Sequence, residues 1–156
     1  YVFVYENNVG QPIATAQNFM AMGIKNDIIA NVIVRKLAPI LKEMRDHDFV
    51  HGHIRLTNIF TGNGKDFDKI MLGECLSTPQ GALNPSIYET IERSLTHPLG
   101  RGQASYDTDM FAFGVTLALM MRQHDPLAGM SDQEILNARI EHGSYATIMG
   151  KERVVG

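Results

Sequence analysis

Three histidines crowd one short stretch. His47, His51 and His53 all lie within "HDFVHGH". Imidazoles can accept protons and ligate zinc. No cysteine lies beside them to complete a mixed zinc site, so a structural role is the competing reading. Asn58 follows in "RLTNIF", where a loop asparagine can bond its own backbone. Asp109 follows Thr108 at the start of an apolar run, a place where the helix dipole favours a negative charge. Arg101 lies in "PLGRGQASYD". It can bind a phosphate or solvate a turn, and we read it as a turn. Cys75 reads as a small core residue, and Met110, Met120 and Met121 as core filler.

These residues need elements to hold them. "YVFVYE" (1–6) has strand chemistry, and "NNVGQP" breaks it. Residues 13–23 suggest a short helix ending at Gly23. Asn26 is a candidate cap, and Asp27 suits the positive helix end. From Ile28 to about Arg45, Ile29, Val32, Ile33, Leu37, Ile40, Leu41 and Met44 recur at helical spacing, which predicts one buried face. Pro39 lies inside that pattern and is expected to kink or split the helix. "NIFTG" and "KIMLG" read as two short strands pairing as a hairpin across the "NGKD" turn. Residues 77–105 form a long, weakly regular segment, and such segments are usually functional or mobile. Residues 107–121 predict a helix apolar on nearly all sides, and so buried. Ser131 and Glu134 form a capping box for a helix that runs to about His142 and stops at Gly143.

The chain has 156 residues, 44% hydrophobic, with a net charge of −3. That is enough for one globular domain with a sizeable core. No basic block argues for nucleic acid. No apolar run approaches the roughly 18 residues of a membrane span. A single cysteine excludes an internal disulfide framework and suits a reducing compartment, so a cytoplasmic location is expected. The chain begins at Tyr1 without a visible signal peptide and reads as a piece of a longer protein.

The order of elements and motifs resembles the large, mostly helical lobe of a protein kinase. "YVFVYE" resembles the last strand of the small lobe entering the hinge. "FVHGHIRLTNIF" resembles the H-R-D-L-x-x-x-N loop: His51 takes the place of the loop histidine, Gly52 of its Arg, His53 of its Asp, and Asn58 of its Asn. "KIMLGECLS" resembles the strand leading into D-F-G, with Glu74 in the Asp position. "YETIER" resembles the end of an activation segment, with Glu92 in the place of the A-P-E glutamate. "YDTDMFAFGVTLAL" resembles the start of the buried central helix, with Asp109 and Gly114 in the motif positions. The fold class this implies is mainly α with a small β-hairpin. Residues 1–6 would be the hinge remnant and 7–156 the kinase-like lobe, truncated after the helix near 131–142. The resemblance also implies that His51 packs under the metal motif, near the central helix, and that the Asp109 carboxylate binds the loop backbone.

The departures carry as much information. The loop Asp that orients the substrate hydroxyl is His53, which lacks the negative charge. Glu74 is one methylene longer than the usual metal-binding Asp. The Gly-rich loop and the phosphate-binding lysine of kinases are not in this chain. The expected function is therefore a pseudokinase, a binding or regulatory module for a protein partner or a neighbouring domain. It would require no cofactor, and Asn58 and Glu74 would be vestigial Mg-ATP positions. The alternatives are a divergent active phosphotransferase using His53 or a displaced carboxylate, and a purely structural domain. The sequence upstream of Tyr1 discriminates best: a Gly-rich loop and strand lysine there would favour the enzyme.

Overall fold

The apolar rhythm of residues 26–46 builds one long helical run. In the computed structural model, which describes residues 10–15, 24–62, 67–73, 84–122 and 125–150, it begins with α1 (Asn26–Ile28). It continues through a π-helical stretch, Ile29–Val34, into α2 (Arg35–Asp46). Ile29, Ile33, Leu37 and Leu41 are buried as their spacing requires. Ile40, expected on the same face, is exposed. Asn26 is not the cap: Lys25 holds that place, without a side-chain cap bond, and Asn26 is already helical. Pro39 does not split α2. The carbonyl a proline crowds is four residues back, here that of Arg35, and Arg35 is where the wider π winding gives way to α winding.

The expected hairpin forms, but as part of a three-stranded antiparallel sheet. β2 (Ile59–Thr61) pairs with β3 (Met71–Leu72), and its other edge pairs with β1 (Gln11–Pro12). The register sets Ile59 opposite Leu72 and Pro12 opposite Phe60. Gln11 and Pro12, the end of the "NNVGQP" read as a strand breaker, thus themselves form a strand. Pro12 is tolerated because β1 is an edge. Gly10 has φ +80°, and a Cβ there would run into the Thr61 carbonyl, so the approach to β1 requires glycine. The bond from the Ile13 N–H to the Ile59 carbonyl (2.8 Å) extends this contact.

Below the sheet the fold is helical. α3 (Ile91–Ser94) is one turn. α4 (Tyr106–Arg122) runs through the core, α6 (Ser144–Met149) packs against it, and α5 (Asp132–His142) packs against α6. Ser131 caps α5 through the expected reciprocal bonds with Glu134, and Gly143, at φ +82°, ends it. α6, directly after that glycine, was not foreseen. On α4, Ala112, Phe113, Val115, Leu119 and Met120 are buried, but Met110, Gly114 and Met121 are exposed. The helix therefore buries one broad side and not its whole circumference. Of the three methionines only Met120 fills the core. Beside Gly114 a shallow apolar groove of about 290 Å³ runs between α4 and α6.

The mainly helical architecture with a small sheet is thus observed. The strand expected at 1–6, most of the helix expected at 13–23, Glu74 and Cys75 lie outside the described residues.

Candidate functional site

The loop that carries the histidines is fastened from several sides. Val50 leads into it, and Gly52 sits at its bend with φ +77°. A side chain in that left-handed region costs roughly 1–2 kcal/mol, so a glycine relieves strain at the place where the resembling motif has Arg. On α4, the Asp109 carboxylate receives two backbone bonds from this loop. Its Oδ2 accepts from the His51 N–H (2.6 Å) and its Oδ1 from the Gly52 N–H (2.8 Å). Asp109 is therefore a buried carboxylate binding the loop backbone as well as a first-turn acid. Burial pushes its carboxyl above the usual range, against the two N–H bonds that hold it down.

His51 is buried, and both of its ring nitrogens are engaged. Nδ1 accepts from the His53 N–H (3.2 Å), and Nε2 lies 2.9 Å from the Gly73 carbonyl. A carbonyl only accepts, so Nε2 carries the proton and the ring is neutral. This removes the zinc reading of the three histidines. His51 has no lone pair to offer, and His47 is exposed, with its ring against the Glu43 carbonyl. Burial is the main cause that brings the His51 pKa down to about 4, and nearby His53 adds to it, while the Gly73 carbonyl works against them.

A pH dependence follows. The folded value lies below the ordinary 6.5. As pH falls from 6.5 towards 4, the unfolded chain takes up a proton that the folded chain refuses. His51 should therefore lower stability on acidification through this window by up to about 3 kcal/mol, with little further loss below it. The raised Asp109 carboxyl works the other way, because the folded state takes up that proton first, and it offsets part of the loss. Urea unfolding at pH 7, 5.5 and 4.5 should show the decline, and His51→Gln should flatten it. An unchanged slope in the variant would show that other groups cause it.

Asn58 and His53 are both buried. Asn58 Nδ2 donates to the His53 carbonyl (3.0 Å), and its backbone carbonyl accepts from Gly73 N (2.9 Å). A Cβ on Gly73 would collide with Asn58 Oδ1 and the Phe60 ring, so glycine there keeps β3 close to the loop. The structure thus brings His51, His53, Asn58, Gly73 and Asp109 together.

Glu92 does not join them. It is exposed in the first turn of α3. The buried glutamate of that segment is Glu89, 2% exposed and paired with Arg93. Gly114 is also peripheral, and a Cβ there would meet nothing within 4 Å.

No protein-family model and no curated protein matches this chain. The site must be read from its own geometry.

That geometry includes residues sequence reasoning passed over. Asn84 Nδ2 donates to the Gly52 carbonyl (2.9 Å), so Gly52 is held at its N–H by Asp109 and at its carbonyl by Asn84. Arg139, fully buried on α5, donates to the Ser86 and Glu89 carbonyls and lies 5.6 Å from the centre of the Phe111 ring. Tyr88 is buried in the same segment, its hydroxyl pushed up to about 12, chiefly by that burial. Arg101, read from the sequence as solvating a turn, instead bonds the carbonyls of Arg93, Thr96 and Asn84. The available signal was an arginine in the last turn of a well-capped helix (Arg139), but nothing local marks such an arginine as buried.

Proposed function

We propose that this chain is part of a kinase-like domain that has lost phosphoryl-transfer chemistry and works as a binding or regulatory module. Its partner would be another protein or a neighbouring domain of the same chain, in the cytoplasm. The observation that carries the reading is the Asp109 carboxylate on the central helix, which accepts the backbone N–H groups of His51 and Gly52. This is the bond the resemblance to the kinase loop implies. It is joined by the His51 ring on the Gly73 carbonyl, directly before the place of the metal motif. On this reading Glu89, buried against Arg93, takes the structural place first expected of Glu92. No helix among the described residues is long and apolar enough to cross a membrane.

The reading of lost chemistry rests on charge. Phosphoryl transfer depends on positioning and on stabilising developing charge, and the loop acid orients the attacking hydroxyl. His53 supplies no anion there. The carboxylate nearest to the loop in the geometry above, Asp109, already has both oxygens on backbone N–H groups. Asn58 directs its amide nitrogen to the His53 carbonyl, so any metal at Asn58 would have to work around an existing bond.

The test is phosphate transfer from radiolabelled ATP with magnesium, to generic substrates and to the protein itself. It is run on this chain and on any longer protein that carries it. No turnover is expected, and the isolated chain should show no ATP-dependent rise in Tm. His53→Asp alone should not create activity, because a charge at one position leaves the metal position altered. Robust transfer that disappears in His53→Ala would overturn the reading and make His53 a catalytic base.

A further inference from the structure

We propose that Arg93 and Arg101 form a reciprocal clasp that positions the 51–53 loop through Asn84. Arg101 is then a positioning residue for the candidate site, although it does not touch that loop.

The segment 84–103 has little regular structure: two 3-10 turns and the single helical turn of α3. Its order comes from guanidinium groups bonded to its own carbonyls. Arg93 Nη1 donates to the carbonyls of Arg101 (2.7 Å) and Gln103 (3.1 Å). Arg101 Nε returns bonds to the carbonyls of Arg93 (3.1 Å) and Thr96 (3.3 Å). Each arginine thus holds the other's backbone, and Glu89, on the Arg93 Nε, anchors the pair in the interior. Charged donors make stronger bonds than neutral ones, and the planar guanidinium fixes direction as well as distance.

The clasp has one arm towards the site. Arg101 Nη1 donates to the Asn84 carbonyl (3.1 Å), and Asn84 Nδ2 donates to the Gly52 carbonyl (2.9 Å). Asn84 is buried, and among the described residues its Oδ1 has no partner, so the Gly52 bond is what orients its amide there. Gly52 occupies a left-handed conformation that glycine adopts as easily as any other. The N–H of the peptide that follows, from His53, is held by the 3.2 Å bond to His51 Nδ1, so the bond on its carbonyl is the second restraint against rotation. The chain of bonds from Arg101 through Asn84 supplies that restraint permanently, with no modification or ligand needed to order the segment.

The experiment is amide hydrogen exchange, followed by mass spectrometry, on the full 156-residue chain and its Arg101→Gln and Asn84→Ala variants. Three regions are read: 84–103, 51–54, and 112–119 on α4 as the global reference. Arg101→Gln should speed exchange in 84–103 and in 51–54 by about tenfold or more, leaving 112–119 unchanged. Asn84→Ala should speed 51–54 alone. If Arg101→Gln fails to fold, Arg101→Lys carries the same comparison, keeping the charge and losing the fork. Parallel acceleration in all three regions would reduce the clasp to general stability and overturn the proposal. A segment that loosens while 51–54 stays protected would also overturn it, as would no change anywhere. The readout involves no nucleotide or phosphate, so its failure is distinguishable from failure of the functional reading above.

Discussion

Arg139→Met is expected to remove about 3–5 kcal/mol of folding stability, the range for deleting one partner of a buried charged arrangement. Arg139 has no exposed surface. Its guanidinium donates to the Ser86 and Glu89 carbonyls, to Ser94 Oγ (3.2 Å) and to Ser144 Oγ (3.0 Å). It thereby joins α5 to the segment before α3 and to the start of α6. Methionine fills similar volume, so packing alone is nearly conserved. What it leaves behind is the buried Glu89 carbonyl without its guanidinium donor, while the Ser86 carbonyl keeps the Glu89 N–H (3.1 Å) and Ser94 Oγ (3.0 Å). Burial lowers the Arg139 pKa, with Glu89 and Glu92 opposing that shift; an arginine in this setting remains charged. Arg139→Lys is the informative comparison. A single ammonium keeps the charge but cannot span two carbonyls and two hydroxyls, so most of the loss should remain. Urea unfolding measures both, and a loss below about 1 kcal/mol in Arg139→Met would show that the Glu89 carbonyl finds another donor.

That residue also marks where the sequence stops being legible. The long helix, the two paired strands, the central helix and the capped α5 all announce themselves through local spacing. Each depends on periodicity or on a cap three residues away. Pro39 does not split the helix, because a proline one turn into α2 crowds only the carbonyl at the π-to-α junction. Gln11 and Pro12 misled because turn chemistry overrode strand pairing, and the pairing partner lies about fifty residues away at Phe60 and Thr61. The site was legible where one motif carried it: His51, Asn58 and Asp109 meet as the loop resemblance implied. It was not legible where long-range hydrogen bonds decide. Glu92 and Glu89 sit three residues apart in one acidic and aromatic stretch, and only the fold shows which of them turns inward. Asn84 and Arg101 lie in a segment whose composition suggests mobility. There Arg93 and Arg101 bond carbonyls elsewhere in the same segment, and no periodic pattern records such bonds.

Asp109→Ala should cost about 4 kcal/mol, because two buried N–H groups lose their acceptor at about 1–3 kcal/mol each. His51 and Gly52 are both buried, and in the chain as it stands their amides point at the two oxygens of one carboxylate. Alanine offers nothing in return, and the carboxylate it removes is buried. Removing a desolvated charge offsets part of the cost, since burial already raises the Asp109 pKa. Asp109→Asn separates the two effects. Its carbonyl oxygen can keep one N–H partner, while its NH₂ faces the other N–H donor to donor, so it should lose roughly half as much while removing the whole charge. Chemical denaturation gives both values. If Asp109 acted only as a first-turn charge favoured by the helix dipole, both variants should cost no more than about 1 kcal/mol, and Asp109→Asn should differ little from Asp109→Ala. A large loss with a graded order places the stability in the paired N–H bonds. It would also loosen the His51 ring from the Gly73 carbonyl, because both contacts rest on the same fixed loop backbone.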